Sequence, residues 1–201
     1  MNRFLSLCIL SLVAVFALGA CTSTPAPPPS TSVGDGTPSG DSTPATAPGQ
    51  VIPLDLSFED PQLGDQITIA GFVPIFDLSS TSKEKYSTEL DGGTIALVDV
   101  RGTTGGQYYS PIQDGRFRLV CDEKILAPQT NSFAADMTAA GFAPFPDDGI
   151  QAGGSGDYWI AFMVGGNPNP TDCSLAYTRT AAKELGTDND IPVYTTTVQL
   201  N

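Results

Sequence analysis

The sequence predicts a mainly β protein: an antiparallel β-sandwich with one or two short helices, preceded by a signal peptide and a disordered linker. Three observations carry this. Apolar and polar residues alternate over short runs, the period of a half-buried strand. Gly, Pro, Asn and Asp interrupt those runs at turn-like intervals. Charged residues make up only 15% of the 201, low for a cytosolic enzyme and compatible with a secreted β-protein.

Eight candidate strands follow in order: 52–58, 66–76, 93–100, 107–112, 116–121, 158–164, 173–179 and 193–200. The fifth shows the alternation best. Phe117, Leu119 and Cys121 face one way, Arg116 and Arg118 the other. Asp114-Gly115 ahead of it is a turn dipeptide suited to a hairpin with the preceding strand. Helices are minor. Ser132 can cap a short helix with Phe133, Met137 and Ala140 on one side and Gly141 as its stop. Residues 180–185, stopped by Gly186, are a second candidate. Residues 51–201, about 150 in all, suffice for one core.

Residues 22–50 are dominated by Thr, Ser, Pro, Gly and Ala, with Val33 the only larger apolar side chain. Such a segment buries too little surface to offset the entropy of ordering. Proline clusters such as Pro27-Pro28-Pro29 stiffen it locally, and a flexible coil of this length spans roughly 30 Å. Its Thr/Ser/Pro content suits either O-glycosylation or an unmodified spacer.

Ahead of the linker, Arg3 supplies a positive start and residues 4–17 are apolar. At about 14 residues the run is too short for a bilayer, which needs roughly 20, and it fits the apolar region of a secretory signal. Leu18-Gly19-Ala20-Cys21 then resembles the lipobox of bacterial lipoproteins. The resemblance implies cleavage between Ala20 and Cys21 and a diacylglyceryl group, carrying chains such as palmitate, on Cys21. It also implies a place at the extracytoplasmic face of the cell membrane. Two acyl chains suffice for stable anchoring. The expected organisation is therefore a signal peptide over 1–20, a lipidated cysteine and linker over 21–50, and the sandwich over 51–201. Cys8 lies in the segment to be removed.

A second resemblance concerns the domain. Gly71, Thr94-Ile95-Ala96-Leu97-Val98 and Asp114-Gly115-Arg116-Phe117-Arg118-Leu119 are similar to the prealbumin-like domains attached to carboxypeptidases and surface proteins. This implies an Ig-like or prealbumin-like sandwich and assigns no activity. The stretch 123–157 departs from that compact pattern.

Composition excludes several function classes. Asp and Glu number 22 against 9 Lys and Arg, a net charge of −13. Such a chain repels phosphate backbones and anionic headgroups, so nucleic acid is no expected partner. There is no histidine, which removes Ser-His-Asp and Cys-His activation and the usual zinc and copper ligands. No G-x-S-x-G elbow occurs. Ser82-Lys83 and Lys183 leave a Ser–Lys arrangement formally open, and a glycosidase needs only two carboxylates. The glycine loops at 102–106 and 153–156 lack a phosphate-binding context and read as hairpin tips.

Cys121 and Cys173 form an even pair in an exported domain, which reads as a disulfide between neighbouring strands or between the sheets. A redox pair would want a spacing such as C-x-x-C, which is missing. Asp188-Asn189-Asp190 places alternating oxygens where calcium could bind, with Asp188 and Asp190 the candidate ligands, but without the twelve-residue loop of an EF-hand. A solvated acidic loop is the alternative. Tyr108-Tyr109 and Tyr158-Trp159 each put one ring on either face of a strand, so one of each pair is expected at the surface. Exposed Tyr and Trp suit sugar or protein contacts.

These features predict a non-catalytic binding or interaction role with no cofactor. The partners expected are the membrane, through Cys21, and a protein of a membrane or envelope complex. A ligand receptor feeding a transporter and a small carboxylate-based hydrolase are the alternatives.

Overall fold

A computed structural model describes residues 49–106, 108–165, 172–184 and 187–200. The signal peptide, Cys21 and nearly all of the linker lie outside the described residues, as do Gln107, Leu185 and Gly186 of two expected elements.

Two antiparallel four-stranded sheets form the sandwich. The first runs in the order β1 (Ile52–Asp60), β2 (Asp65–Phe76), β3 (Thr94–Thr103), β6 (Ser155–Val164). The second runs β10 (Tyr194–Gln199), β7 (Cys173–Arg179), β4 (Phe117–Cys121), β5 (Lys124–Leu126). A small hairpin of β8 (Ala182–Lys183) and β9 (Asp190–Ile191) follows β7. Seven of these strands lie where the alternation predicts them. In β4, Phe117, Leu119 and Cys121 are buried and join Val98, Val100, Ile67 and Phe162 in the core between the sheets.

β3 departs from simple alternation, because every residue from Ile95 to Val100 is buried. Ala96, Val98 and Val100 face the second sheet, while Ile95 and Leu97 belong to another core beneath α3 (Thr130–Ala139). A strand covered on both faces reads as a continuous apolar run. From α3, Phe133 and Met137 fill that second core. Their spacing of four puts them on one side of the helix.

Five local expectations need correction. Residues 108–112 form no strand: the chain bends at Tyr108 and Tyr109, and Ile112 makes only an isolated bridge to Ile150. Pro111 lacks the N–H a ladder requires. Asp114-Gly115 therefore turns no hairpin; Asp114–Arg116 is one turn of 3-10 helix leading into β4. The hairpin partner of β4 is β5, joined through Asp122 and Glu123, whose φ values of 48° and 65° are those of a type I′ turn. α3 starts two residues before Ser132, and Thr130 Oγ1 instead accepts the Ala161 N–H at 3.3 Å. Gly141, with φ of 86°, follows the helix end as expected.

Within 180–185, Ala182 and Lys183 pair as a strand with Asp190 and Ile191. Two short helices, α1 (Ser80–Lys85) and α2 (Ser87–Leu90), arise where none was expected. The glycine loops, expected as hairpin tips, instead clasp each other. The Thr104 N–H donates to the Gly154 carbonyl, and the Gly154 N–H returns to Thr104 Oγ1, both at 3.0 Å.

Cys121 and Cys173 are disulfide-bonded. They sit directly opposite in register on β4 and β7, with Cα atoms 4.3 Å apart. Of the two expected placements, the bond thus joins neighbouring strands of one sheet. Among the described residues no helix is long and apolar enough to cross a membrane.

Candidate functional site

Chain segments distant in sequence meet around a cavity of about 300 Å³, at the lower end of small-molecule sites. The β1–β2 turn contributes Leu63, and the bend after β3 contributes Tyr108, Tyr109 and Ser110. Arg116 ends the 3-10 turn ahead of β4, Arg179 comes from the end of β7, and Glu184 from the β8–β9 hairpin.

The two arginines are held differently. Arg179 is 2% exposed and Asp60 is fully buried. Its Nε donates to Asp60 Oδ2, and its Nη2 donates to Asp60 Oδ1 at 3.3 Å and Gln62 Oε1 at 2.9 Å. Nη1 donates to the Thr180 and Pro192 carbonyls. The group ties β1 of one sheet to β7 of the other, and its charge is neutralised. Among the described residues Arg116 donates only to neutral oxygens: Nη1 to the Tyr177 hydroxyl at 3.0 Å and Nη2 to Ser110 Oγ at 2.9 Å. Among the described residues it joins no ion pair. Tyr177 is itself fully buried, between Phe58 and Phe117, so its hydroxyl is a fixed support for the guanidinium.

Asp65 belongs to the same electrostatic neighbourhood. It is 2% exposed; Oδ1 accepts the Gly105 N–H at 3.1 Å, and among the described residues Oδ2 has no hydrogen-bond partner. Burial raises its carboxyl above the ordinary range, opposed by the Gly105 N–H and the Arg116 and Arg179 charges. A Cβ on Gly105 would lie 2.0 Å from the Leu63 carbonyl oxygen, so only glycine brings that N–H so close.

The predicted binding aromatics separate. Tyr109, 83% exposed, and Tyr108, half-buried, both line the cavity, from a bend rather than a strand. Tyr158 and Trp159 do occupy opposite faces of β6, yet neither reaches it. Tyr158 packs on Phe145 at 5.7 Å beside the inter-sheet core. Trp159 packs on Phe142 at 4.9 Å, against the second core.

Asp188 is exposed, and Asp190 lies in β9. Between them, the Asn189 amide donates to Glu184 Oε2 at 2.8 Å. Among the described residues no group of three or more Cys, Asp or Glu side chains is arranged to hold a metal. Two S-x-x-K spacings, Ser80 to Lys83 and Ser82 to Lys85, lie on α1. They do not pair serine with lysine: Ser82 Oγ donates to Asp136, and Lys83 bonds Asp77.

Asp65, Tyr177, Arg179 and Glu184 escaped the sequence reading. The one usable signal was Arg179, a cation ending the apolar strand Cys-Ser-Leu-Ala-Tyr-Thr-Arg in a chain with nine basic residues.

A separate acid pair lies on the first sheet. Asp99 is 6% exposed, with Oδ1 unpartnered among the described residues, while Arg101 reaches Asp99 at 3.5 Å and Asp157 at 2.9 Å. Burial first, then the Asp157 hydrogen bond and charge, push Asp99 up to about 7, with Arg101 opposing. Between its ordinary 3.8 and about 7 the folded state holds a proton that the unfolded chain has lost. Stability therefore falls as pH rises through that window. Asp99→Asn is expected to flatten this decline and to melt above wild type at pH 8. Melting temperatures of both proteins from pH 4 to 8 check it, and parallel curves would contradict it.

No protein-family model matches the chain, and no curated relative does either. Among solved structures, the chain is similar to a functionally unknown protein from Listeria monocytogenes EGD-e, at 11% identity and a TM-score of 0.48. That likeness covers 77% of this chain and 87% of the other.

Proposed function

We propose that this protein is a lipid-anchored, non-catalytic binding protein of the cell envelope. Cys21 holds it to the extracytoplasmic face of the membrane, the linker carries the sandwich clear of the surface, and the cavity beside Arg116 is the binding site. One observation carries the site: a half-buried guanidinium held by neutral groups lines a cavity together with two tyrosines. A cation fixed in place without a carboxylate is ready to receive a partner. The lipobox-like Leu18-Gly19-Ala20-Cys21 supports the anchor, and the Cys121–Cys173 bond suits an oxidising compartment.

Photo-crosslinking in intact cells tests this. A benzoyl-phenylalanine at position 109 is expected to give a discrete adduct, and one at Ile125, 72% exposed on β5, none. Cys21→Ala is expected to move the protein from the membrane to the soluble fraction. Equal labelling from both positions, or a membrane-bound Cys21→Ala variant, would overturn the reading.

A further inference from the structure

We infer that the cavity takes a sugar acid, a pyranose-sized polyol bearing one carboxylate; this rests on the binding site proposed above. The size comes first. About 300 Å³ matches one small ring and not an extended chain. The charge comes next. An arginine offers five N–H donors in a planar fork, and Arg116 is seen to direct two of its terminal nitrogens at neutral oxygens. The remaining donors match a carboxylate, which guanidinium binds in a bidentate manner.

The surroundings favour one negative charge over two. Glu184 lines the same cavity, Asp65 lies in the field of Arg116, and the whole chain is at −13. A phosphate dianion would meet this acidic field with twice the charge. The rest of the lining suits hydroxyl groups. Glu184 Oε2 already accepts from Thr187 Oγ1 at 3.0 Å and Asn189 Nδ2 at 2.8 Å, so the carboxylate is oriented and a ligand hydroxyl can donate to it. Ser110 Oγ, receiving the Arg116 N–H, keeps its own proton to donate. Tyr108 and Tyr109 supply ring faces for the apolar side of a pyranose. Carboxylate to Arg116 and hydroxyls to Glu184 set one binding orientation, because the two side chains come from different elements.

The test is titration of D-glucuronate into the full-length protein in detergent, followed by ligand-observed NMR, with D-glucose, N-acetylalanine and inorganic phosphate alongside. Glucuronate is expected to bind at least tenfold more tightly than each of the other three. Arg116→Gln should abolish that preference, and Arg116→Lys should weaken glucuronate by about tenfold, since an ammonium lacks the bidentate fork. Arg118→Gln, two residues further along in β4 and outside the cavity, should change nothing. If Arg116→Gln does not fold, Tyr109→Ala at its exposed position carries the test and should also lose binding. No glucuronate binding, tighter binding of N-acetylalanine or phosphate, or indifference to both substitutions would overturn the inference. A discrete adduct from position 109 in cells with no glucuronate binding would overturn the ligand class and leave the site standing.

Discussion

Arg179→Leu is expected to destabilise the domain by about 3–5 kcal/mol, the cost of stranding one member of a buried ion pair. The Arg179 side chain is 3% exposed and the Asp60 side chain not at all. Removing the guanidinium leaves the carboxylate with only the N–H groups of Gln62 and Leu63, at 3.1 and 3.4 Å. It also frees the Thr180 and Pro192 carbonyls and the Gln62 side chain. The pair itself need not be strongly stabilising, because desolvation offsets much of its attraction. Asp60→Asn combined with Arg179→Leu should therefore recover part of the loss. Urea unfolding of wild type, both single variants and the double variant measures this as a cycle. A single-variant loss under about 1 kcal/mol would mean that the site admits water and the pair is effectively exposed.

Replacing Cys121 and Cys173 together by alanine should cost about 4 kcal/mol, the chain-entropy value for a loop of this length. The residues are 52 apart in sequence, and both are buried in the inter-sheet core. In a domain of this size that loss corresponds to a melting point lower by about 8–16 °C. Thermal unfolding of the variant, and of wild type in excess reductant, should give the same lowered midpoint. A midpoint unchanged in both would show that the covalent link adds nothing beyond the ladder pairing of β4 with β7.

The strands that sequence reading located are those whose pattern is local. β4 shows it plainly, since Phe117, Leu119 and Cys121 alternate with polar neighbours whatever lies elsewhere in the chain. Where the reading failed, a distant partner decided the outcome. Residues 107–112 look like a strand in isolation, but Pro111 and the lack of a ladder partner leave a bend. That bend moves Tyr108 and Tyr109 from opposite faces of a sheet to one cavity. Tyr158 and Trp159 were correctly placed on opposite faces of a strand, yet rings at Phe145 and Phe142, invisible to local pattern, occupy both.

By itself the sequence determined the fold class, seven of the ten described strands and the pairing of the last two cysteines, because period-two alternation and cysteine number are local or countable properties. It also removed histidine chemistry outright. Only the tertiary structure decided where a site could lie. Arg179 meets Asp60 across 119 residues and Arg116 meets Tyr177 across 61. Whether a charge is neutralised or left to receive a ligand depends on such long-range encounters, which strand pairing within the second sheet and packing of the two sheets together bring about.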